Sequence, residues 1–577
     1  MTFSELSGYL DRLEATSSRN ELVKTLAELY TKSSPDEIQP LTYLIQGRLV
    51  PFFEPVEIGL GEKLVMAAIA QAFATPIDEV TKLFGQLGDL GLVAAKLSAH
   101  GSTVPLPVTE VHARLMEIAG AAGGGSVEKK RSLFAALLKQ VDPMSAKHLV
   151  RIALGRLRLG IGDPTVLDAL SFAKKGDRSE RPVLEAAYNR VSDLGLIAKT
   201  FWSGGESEVN ALEVTVGRPI RSQLAERLPN PEAVIKRLGM VAIQPKYDGL
   251  RVQIHKNGSS VRVFSRNLED YTLMFSELTT AAQGLKDETL ILDGEAIAFS
   301  KELEEFLPFH LTASRRRQHG IEQAAVDLPL VAFVFDILYR NGRDLTDMPY
   351  EERLALVDEV IAGSSVLLPA PIIKTDSVEV LTKTLLDYIS QGLEGVVVKR
   401  PDSKYQAGAR NFNWVKLKRH TSGELSDTVD LVLLGYYFGK GKRAAFGVGA
   451  LLAGVYDAEN DRFETITKLG TGLSDAEWRQ IHERADKLQV DQRPARVDSV
   501  LVPDVWLKPE VVVEVMADEI TPSPRHTAGR IGDEPGYALR FPRVISFRGA
   551  DKRPEDATTV KEIAQLFRQQ RERKPPA

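Results

Sequence analysis

The segment Val241–Gly258, VAIQPKYDGLRVQIHKNG, constrains the fold more than any other stretch. Two apolar, strand-like runs flank Lys246-Tyr247-Asp248-Gly249, and a turn at Gly258 closes the second. Arg251 follows Gly249 by two residues, so a lysine, an aspartate and an arginine gather where one strand gives way to the next. Taken alone, a K-x-D-G tetrapeptide arises by chance, and a lysine at a strand end is ordinarily a solvated cation.

With 577 residues, 43% of them hydrophobic and 26% charged, the chain divides into several domains, and three are expected. Apolar runs stop short of a membrane span, and the opening MTFSELSGYLDRLEATSSRNEL reads as an acidic helix rather than a targeting signal. A cytoplasmic monomer without a membrane partner is the expectation, nucleoid-associated if the source is prokaryotic. The absence of cysteine excludes disulfides and thiolate zinc sites, so any metal is a hard ion held through oxygen. A net charge of −5 argues weakly against a uniformly basic nucleic-acid binder and leaves that question to local patches.

Residues 1–207 carry apolar side chains at three- and four-residue spacing and predict an all-helical domain. Within it, Arg151, Arg156 and Arg158 precede Gly160-Ile161-Gly162, and Asp163-Pro164 reads as the N-cap and first residue of a new helix. Such a turn can hold a phosphate on free backbone N–H groups; the plainer reading is a helical hairpin with a solvated basic face. Residues 208–418 alternate strand and helix patterns and predict an α+β domain with antiparallel sheets. Residues 419–577 predict a small β-barrel with a C-terminal helix and a basic tail. No internal repeat is read along the chain.

Further polar clusters stand in order after Lys246: Ser265-Arg266-Asn267, Leu292-Asp293-Gly294-Glu295, Phe333-Val334-Phe335-Asp336, Glu394-GVVV-Lys399-Arg400 and Trp414-Val415-Lys416-Leu417-Lys418. Each ends an apolar run, where side chains leave a sheet and converge on a cleft. Strand alternation keeps Lys416 and Lys418 on one face. Lys404 reads as a solvated cation, and Asp293 as a turn residue outside the site.

This ordered series resembles the covalent nucleotidyltransferase superfamily, and almost the full chain is similar to the ATP-dependent DNA ligases. The resemblance implies a helical DNA-binding domain, an adenylation domain and an oligonucleotide-binding-fold (OB-fold) barrel. It makes Lys246 the nucleophile that takes AMP from ATP, with Gln244 at the adenine edge, Phe335 stacked on the base and Arg266 on the ribose. Arg251, Arg410, Lys416 and Lys418 line the nucleotide site, and Glu295 and Glu394 are the carboxylates expected near Mg²⁺. Near the C-terminus, Arg543, Arg548 and the pair Asp551-Lys552 stand where the resemblance places arginines before an Asp-Lys pair, and of these Arg543 and Lys552 are assigned to pyrophosphate departure; Arg156, Arg158, Gly160 and Gly162 serve DNA binding. Nicked duplex DNA is the implied partner. No clear clamp-binding motif is present, so a sliding clamp stays an open partner. Where many relatives carry glutamate two residues before the lysine, this chain has Gln244, whose amide both donates and accepts. An RNA ligase or guanylyltransferase does not account for the helical module, and an NAD-dependent ligase lacks its usual thiolate zinc module here. A DNA scaffold that kept the fold is the non-enzymatic alternative.

Overall fold

The computed structural model describes all residues except 99–104, 301–304, 307–311, 313–314, 316–320, 392, 419–427, 439–446, 471–472, 474, 518, 550–551 and 573–577. It forms two compact units, Met1–Leu212 and Glu213–Ala577. None of the described helices is long and apolar enough to cross a membrane.

The first unit is helical throughout and internally duplicated, a feature the sequence reading missed. Helices α1 (Phe3–Glu14), α2 (Arg19–Lys32), α3 (Pro35–Leu44), α4 (Glu62–Ala72), α5 (Ile77–Leu87) and α6 (Leu90–Leu97) make the first half. Helices α7 (Val108–Gly120), α8 (Ser126–Leu138), α9 (Pro143–Ala153), α10 (Asp163–Lys175), α11 (Arg181–Val191) and α12 (Leu194–Asn210) repeat it. The halves begin against each other: Phe3 N–H donates to Leu106 O and Val108 N–H to Met1 O, at 2.8 and 3.1 Å. Gly47-Arg48-Leu49 after α3 matches Gly155-Arg156-Leu157 after α9, with both glycines at positive φ and one packed on the other. Gly59-Leu60-Gly61 before α4 matches Gly160-Ile161-Gly162 before α10, and Gly61 and Gly162 are the two N-caps. Asp163 therefore heads α10 instead of capping it, and its carboxylate accepts from the Tyr188 hydroxyl at 2.6 Å.

The last helix of each half starts alike, Asp89-Leu-Gly-Leu-Val-Ala and Asp193-Leu-Gly-Leu-Ile-Ala. Each aspartate caps its helix through the N–H three residues on and also takes a side chain from the opposite half. That partner is Arg151 on Asp89 and Tyr43 on Asp193, each four residues before its positive-φ glycine. The glycine two residues after each aspartate is obligatory for packing. A Cβ at Gly91 would meet Lys147 O at 2.6 Å, and one at Gly195 the Tyr43 ring at 2.4 Å. Helix α12 runs through the 207/208 division expected from sequence, and the unit ends at Leu212.

The second unit holds two sheets and a β-rich domain. The strand Val241–Lys246 lies in a five-stranded sheet, between Gly395–Lys399 and Ile373–Thr375; Arg410–Lys418 and Leu224–Arg227 extend it. The next strand, Leu250–Asn257, belongs to a different, seven-stranded sheet, between Ser260–Ser265 and Thr289–Ser300. The K-x-D-G turn is thus the crossing point between two sheets. Gly249 is required there because a Cβ would stand 2.5 Å from Ala296 O. Pairing in both sheets is mainly antiparallel, with Leu224–Arg227 and Leu367–Pro369 joining in parallel. In the C-terminal β-rich domain the long strand Val429–Phe438 pairs with Val448–Asp457 on one side and, on the other, with Val505–Leu507 and Val512–Met516 in succession. The helix Val560–Glu572 follows. The all-α, α+β and β-rich order agrees with the sequence expectation.

Candidate active site

Where the two sheets part, a cavity of ≈ 200 Å³ opens, lined from both sheets and from the β-rich domain. Lys246 ends its strand at the mouth of the cavity, and its ammonium is paired with Glu394. Lys418 binds the other oxygen of the same carboxylate at 2.5 Å. Burial alone would push Glu394 up; Lys246 and Lys418 together hold it well below the usual carboxylate range. Strand register explains the trio, since Gly395 is directly opposite both Lys246 and Lys418 on its two neighbours. Gly395 sits at φ +146°, where a Cβ would meet Leu417 O at 2.1 Å.

Of the residues expected from sequence, Gln244, Arg251, Arg266 and Glu295 also line the cavity, as do Phe335, Arg410, Lys416 and Lys552. Glu295 is pushed up to about 7 by burial, against the pull of Lys246, Arg251 and Arg266. Asp248 is likewise raised by burial and by Glu394. Glu295 and Glu394 are both oxygen donors on the cavity wall, so they fit the hard divalent ion expected there.

Three placements differ from the sequence reading. Arg543 is exposed and absent from the cavity wall; Arg548, at the other end of the same strand, lines it and pairs with Asp430 and Glu514. Asp293 is not a turn residue. It lies fully buried within the strand Thr289–Ser300 and grips Arg251 with both oxygens, at 3.0 and 2.6 Å. Lys399, quoted in the Glu394 cluster without a role, is buried in the same cavity wall. It donates to Tyr350 Oη at 3.2 Å and Phe335 O at 3.3 Å, and its Nζ stands 3.9 Å from the Trp414 ring centroid. Phe335 meets Trp414 edge-on at 6.0 Å. Lys404 forms an exposed pair with Asp347, as its solvated reading requires. Asp551 lies outside the described residues.

Burial pushes Lys399 down to about 7, ahead of the opposing pull of Asp336 and Asp293. Its folded value lies below the unfolded one, so the stability tied to it is complete only above the unfolded value, ~10.4, and is lost as pH falls toward 7. Wild type is therefore expected to lose stability relative to Lys399→Met between about pH 10 and pH 7. Parallel denaturant midpoints for the two proteins across that range would refute this.

The β-rich domain closes one side of the cavity. Asp430 and Lys552 are paired across the cavity rim, and Arg410 reaches Glu562 of the C-terminal helix at 2.5 Å. Arg227, a cavity residue the sequence reading missed, stands 3.7 Å from the same glutamate, and Arg266 is 3.9 Å from Asp556. Glu562 would be pushed up by burial, but Arg410, Arg227 and Lys416 hold it far below its ordinary value.

In the helical unit, Arg156 pairs with Glu62 at 2.5 Å and both are substantially exposed. Arg158 adopts φ +58° and stands 3.6 Å from Asp89; Gly160 adopts φ +66°.

Comparison with known proteins agrees with this arrangement. Residues 2–171 match the family description DNA ligase N terminus, residues 222–418 the ATP dependent DNA ligase domain, and residues 444–552 the ATP dependent DNA ligase C terminal region. A probable DNA ligase of Dictyoglomus turgidum is 48% identical over 576 residues, spanning 100% of this chain and 99% of the relative. The DNA ligase of Sulfolobus acidocaldarius is 40% identical over 593 residues, again with 100% and 99% covered. Among solved structures, mycobacterial DNA ligase D complexed with ATP and MES is 25% identical, covers 59% of this chain and 97% of its own, and has a TM-score of 0.36. By its three matching domains and its full-length relatives, the chain belongs to the ATP-dependent DNA ligase family.

Proposed function

We propose that this ligase seals nicks in duplex DNA through AMP carried on Lys246. The observation that supports this most is the position of that lysine. It is placed at the crossing of two sheets, on a cavity wall shared with Lys416, Lys418 and the cations of the β-rich domain. In the first step Lys246 Nζ, having lost a proton, attacks the α-phosphorus of ATP; an N–P bond forms, the bond to pyrophosphate breaks and pyrophosphate leaves. Lys418 can keep the Glu394 carboxylate company while Lys246 gives up its proton. In the second step a 5′-phosphate oxygen of the nick takes AMP from Lys246, which recovers a proton. In the third the 3′-hydroxyl oxygen attacks the 5′-phosphate and AMP departs.

Negative charge grows on phosphorus-bound oxygens throughout, and Lys416, Lys418, Arg548 and Lys552 are the groups that meet it. Glu295 and Glu394 would hold Mg²⁺, which supplies further charge neutralisation at the phosphates. Phe335 serves as the base-stacking ring, Arg266 as the ribose contact and Gln244 as the reader of the base edge. Of the two arginines considered for pyrophosphate departure, Arg548 is better placed than Arg543. The test is incubation with labelled ATP and Mg²⁺, then a chase with nicked DNA. A wild-type protein that binds DNA without taking label would be a scaffold.

The first and second steps require different partners in one place. We assign the state described here, with the β-rich domain closed on the cavity, to the adenylation step, and the domain swings away to admit DNA. We place the hinge near Lys418–Leu425, of which only Lys418 is among the described residues. Identical interdomain distances in the free, adenylated and nick-bound states would exclude the swing. The Glu562 ion pairs hold the closed state, so Glu562→Gln is expected to slow self-adenylation ~3–10-fold, without slowing transfer of preformed enzyme-bound AMP to nicked DNA. Equal slowing of both steps in rapid-quench kinetics would contradict it.

For DNA, the duplication supplies two matching loops. Arg156, Arg158, Gly160 and Gly162 form one phosphate-binding turn, and Arg48, Gly59 and Gly61 form its counterpart in the first half. Arg156→Ala or Arg158→Ala is expected to weaken nick binding uniformly across sequences and lower the salt slope by ~1, leaving self-adenylation intact. Loss of adenylation in either variant would show the helical unit misassigned. A sliding clamp remains a partner to be sought by direct binding.

A further inference from the structure

The wall of the nucleotide cavity carries a buried amide whose donor is not satisfied. Gln244 is 2% exposed, yet its Nε2 has no hydrogen-bond partner. Its backbone is held opposite Val397, one residue beyond Ile243, where pairing with the strand on the other side ends. Its side chain interacts with the Tyr350 hydroxyl, but that hydroxyl is already donor to Phe335 O at 3.0 Å and acceptor from Lys399, and Nε2 reaches no partner at normal hydrogen-bond geometry. A buried amide nitrogen without a partner is costly, and a cavity beside it offers the place where a partner arrives.

The chemistry of this amide sets what it accepts. A carboxylate at this position would only accept hydrogen bonds. It would take the exocyclic amine of adenine and repel a keto oxygen at the same ring position, and that repulsion is how such a site excludes the wrong base. A carboxamide can turn over: Oε1 accepts from an amine, or Nε2 donates to a keto oxygen. Lys399, whose Nζ donates to the same Tyr350 hydroxyl and stands 4.3 Å from the Phe335 ring centroid, adds further N–H donors to this wall, which also favours a keto oxygen. The carboxylates on the cavity wall are engaged elsewhere: Glu394 with Lys246 and Lys418, Asp430 with Lys552. Asp248 and Glu295 interact with Lys246 as well.

We propose that Gln244 sets base selectivity in this ligase and admits 6-oxopurine nucleoside triphosphates, such as GTP and ITP, as secondary donors to Lys246. The proposal rests on the reading of this cavity as the nucleotide site. The reaction is unchanged in its balance: the lysine nitrogen forms a bond to the α-phosphorus of GTP or ITP, pyrophosphate leaves, and GMP or IMP stays on the protein.

The experiment measures kcat/KM for covalent labelling of the full chain by α-labelled ATP, GTP and ITP with Mg²⁺, for wild type, Gln244→Glu and Gln244→Ala. Wild type is expected to use GTP and ITP within ~100-fold of ATP. Gln244→Glu should widen the ATP:GTP and ATP:ITP ratios at least ~10-fold, and Gln244→Ala should narrow them. Each ratio is taken within one variant, so partial loss of folded protein cancels. Labelling by ATP with none by GTP or ITP at millimolar concentration overturns the proposal and leaves the ligase reading intact. An ATP:GTP ratio that is the same in wild type and Gln244→Glu overturns it too. Absence of label with every nucleotide removes the reading of Lys246 as nucleotide carrier, and the proposal with it.

Discussion

Lys246→Ala is expected to abolish covalent labelling by ATP, a loss of at least ~10⁴-fold, because the group proposed to form the N–P bond is gone. Lys246→Arg should fail equally. An arginine can keep the ion pair with Glu394 but cannot be deprotonated to a nucleophile near neutral pH, so charge without nucleophilicity is left. Both variants should still bind nicked DNA, since the loops proposed to hold phosphate lie in the helical unit, away from this lysine in the chain. Both should also seal a nick whose 5′ end is already adenylated, because the last step needs the cations of the cavity but not Lys246. The pattern that would defeat the assignment is labelling that survives in Lys246→Ala. Labelling lost together with sealing of pre-adenylated DNA would mean that the lysine shapes the cavity rather than carrying AMP.

What could be read from the sequence followed from strand chemistry. Eleven expected residues, from Gln244 to Lys552, line a single cavity, Lys246 and Lys418 from strand ends at the sheet crossing and Gln244, Glu295 and Phe335 from within strands. What could not be read depended on register and on long-range pairing. Arg543 and Arg548 look equivalent in a basic string, but they stand at opposite ends of one strand, ~16 Å apart at the usual rise, and only one end reaches the cavity. Asp293 precedes a glycine and so resembles a turn, whereas the strand runs straight through it. The duplication of the helical unit was hidden because identity between the halves survives in short patches only. The segment between α3 and α4 is longer than the one between α9 and α10, which breaks a constant spacing. What is preserved is the set of backbone requirements: positive-φ glycines, glycine N-caps and a capping aspartate that crosses to the other half.

Asp293→Ala should carry the largest stability cost of the substitutions considered around the site. Arg251 and Asp293 form a bidentate pair whose side chains are 13% and 1% exposed. Arg251 also donates to Gln223 O at 2.8 Å, and Tyr405 donates to Asp293 at 2.9 Å. Removing the carboxylate leaves a buried guanidinium without its counter-charge, which costs about 3–5 kcal/mol. Asp293→Asn keeps one acceptor and the side-chain shape, so a smaller loss is expected. The chemistry should fall as well. The guanidinium carbon lies 5.4 Å from the ring centroids of both Phe335 and Trp414, so a displaced Arg251 moves the wall proposed to stack the base. Denaturant unfolding of the full chain, followed by the fluorescence of its tryptophans, reads the stability, and labelling by ATP reads the site. If Asp293→Ala unfolds at the wild-type midpoint, the pair is not holding the cavity wall. If it is destabilised but labels at the wild-type rate, Arg251 has no part in placing the nucleotide.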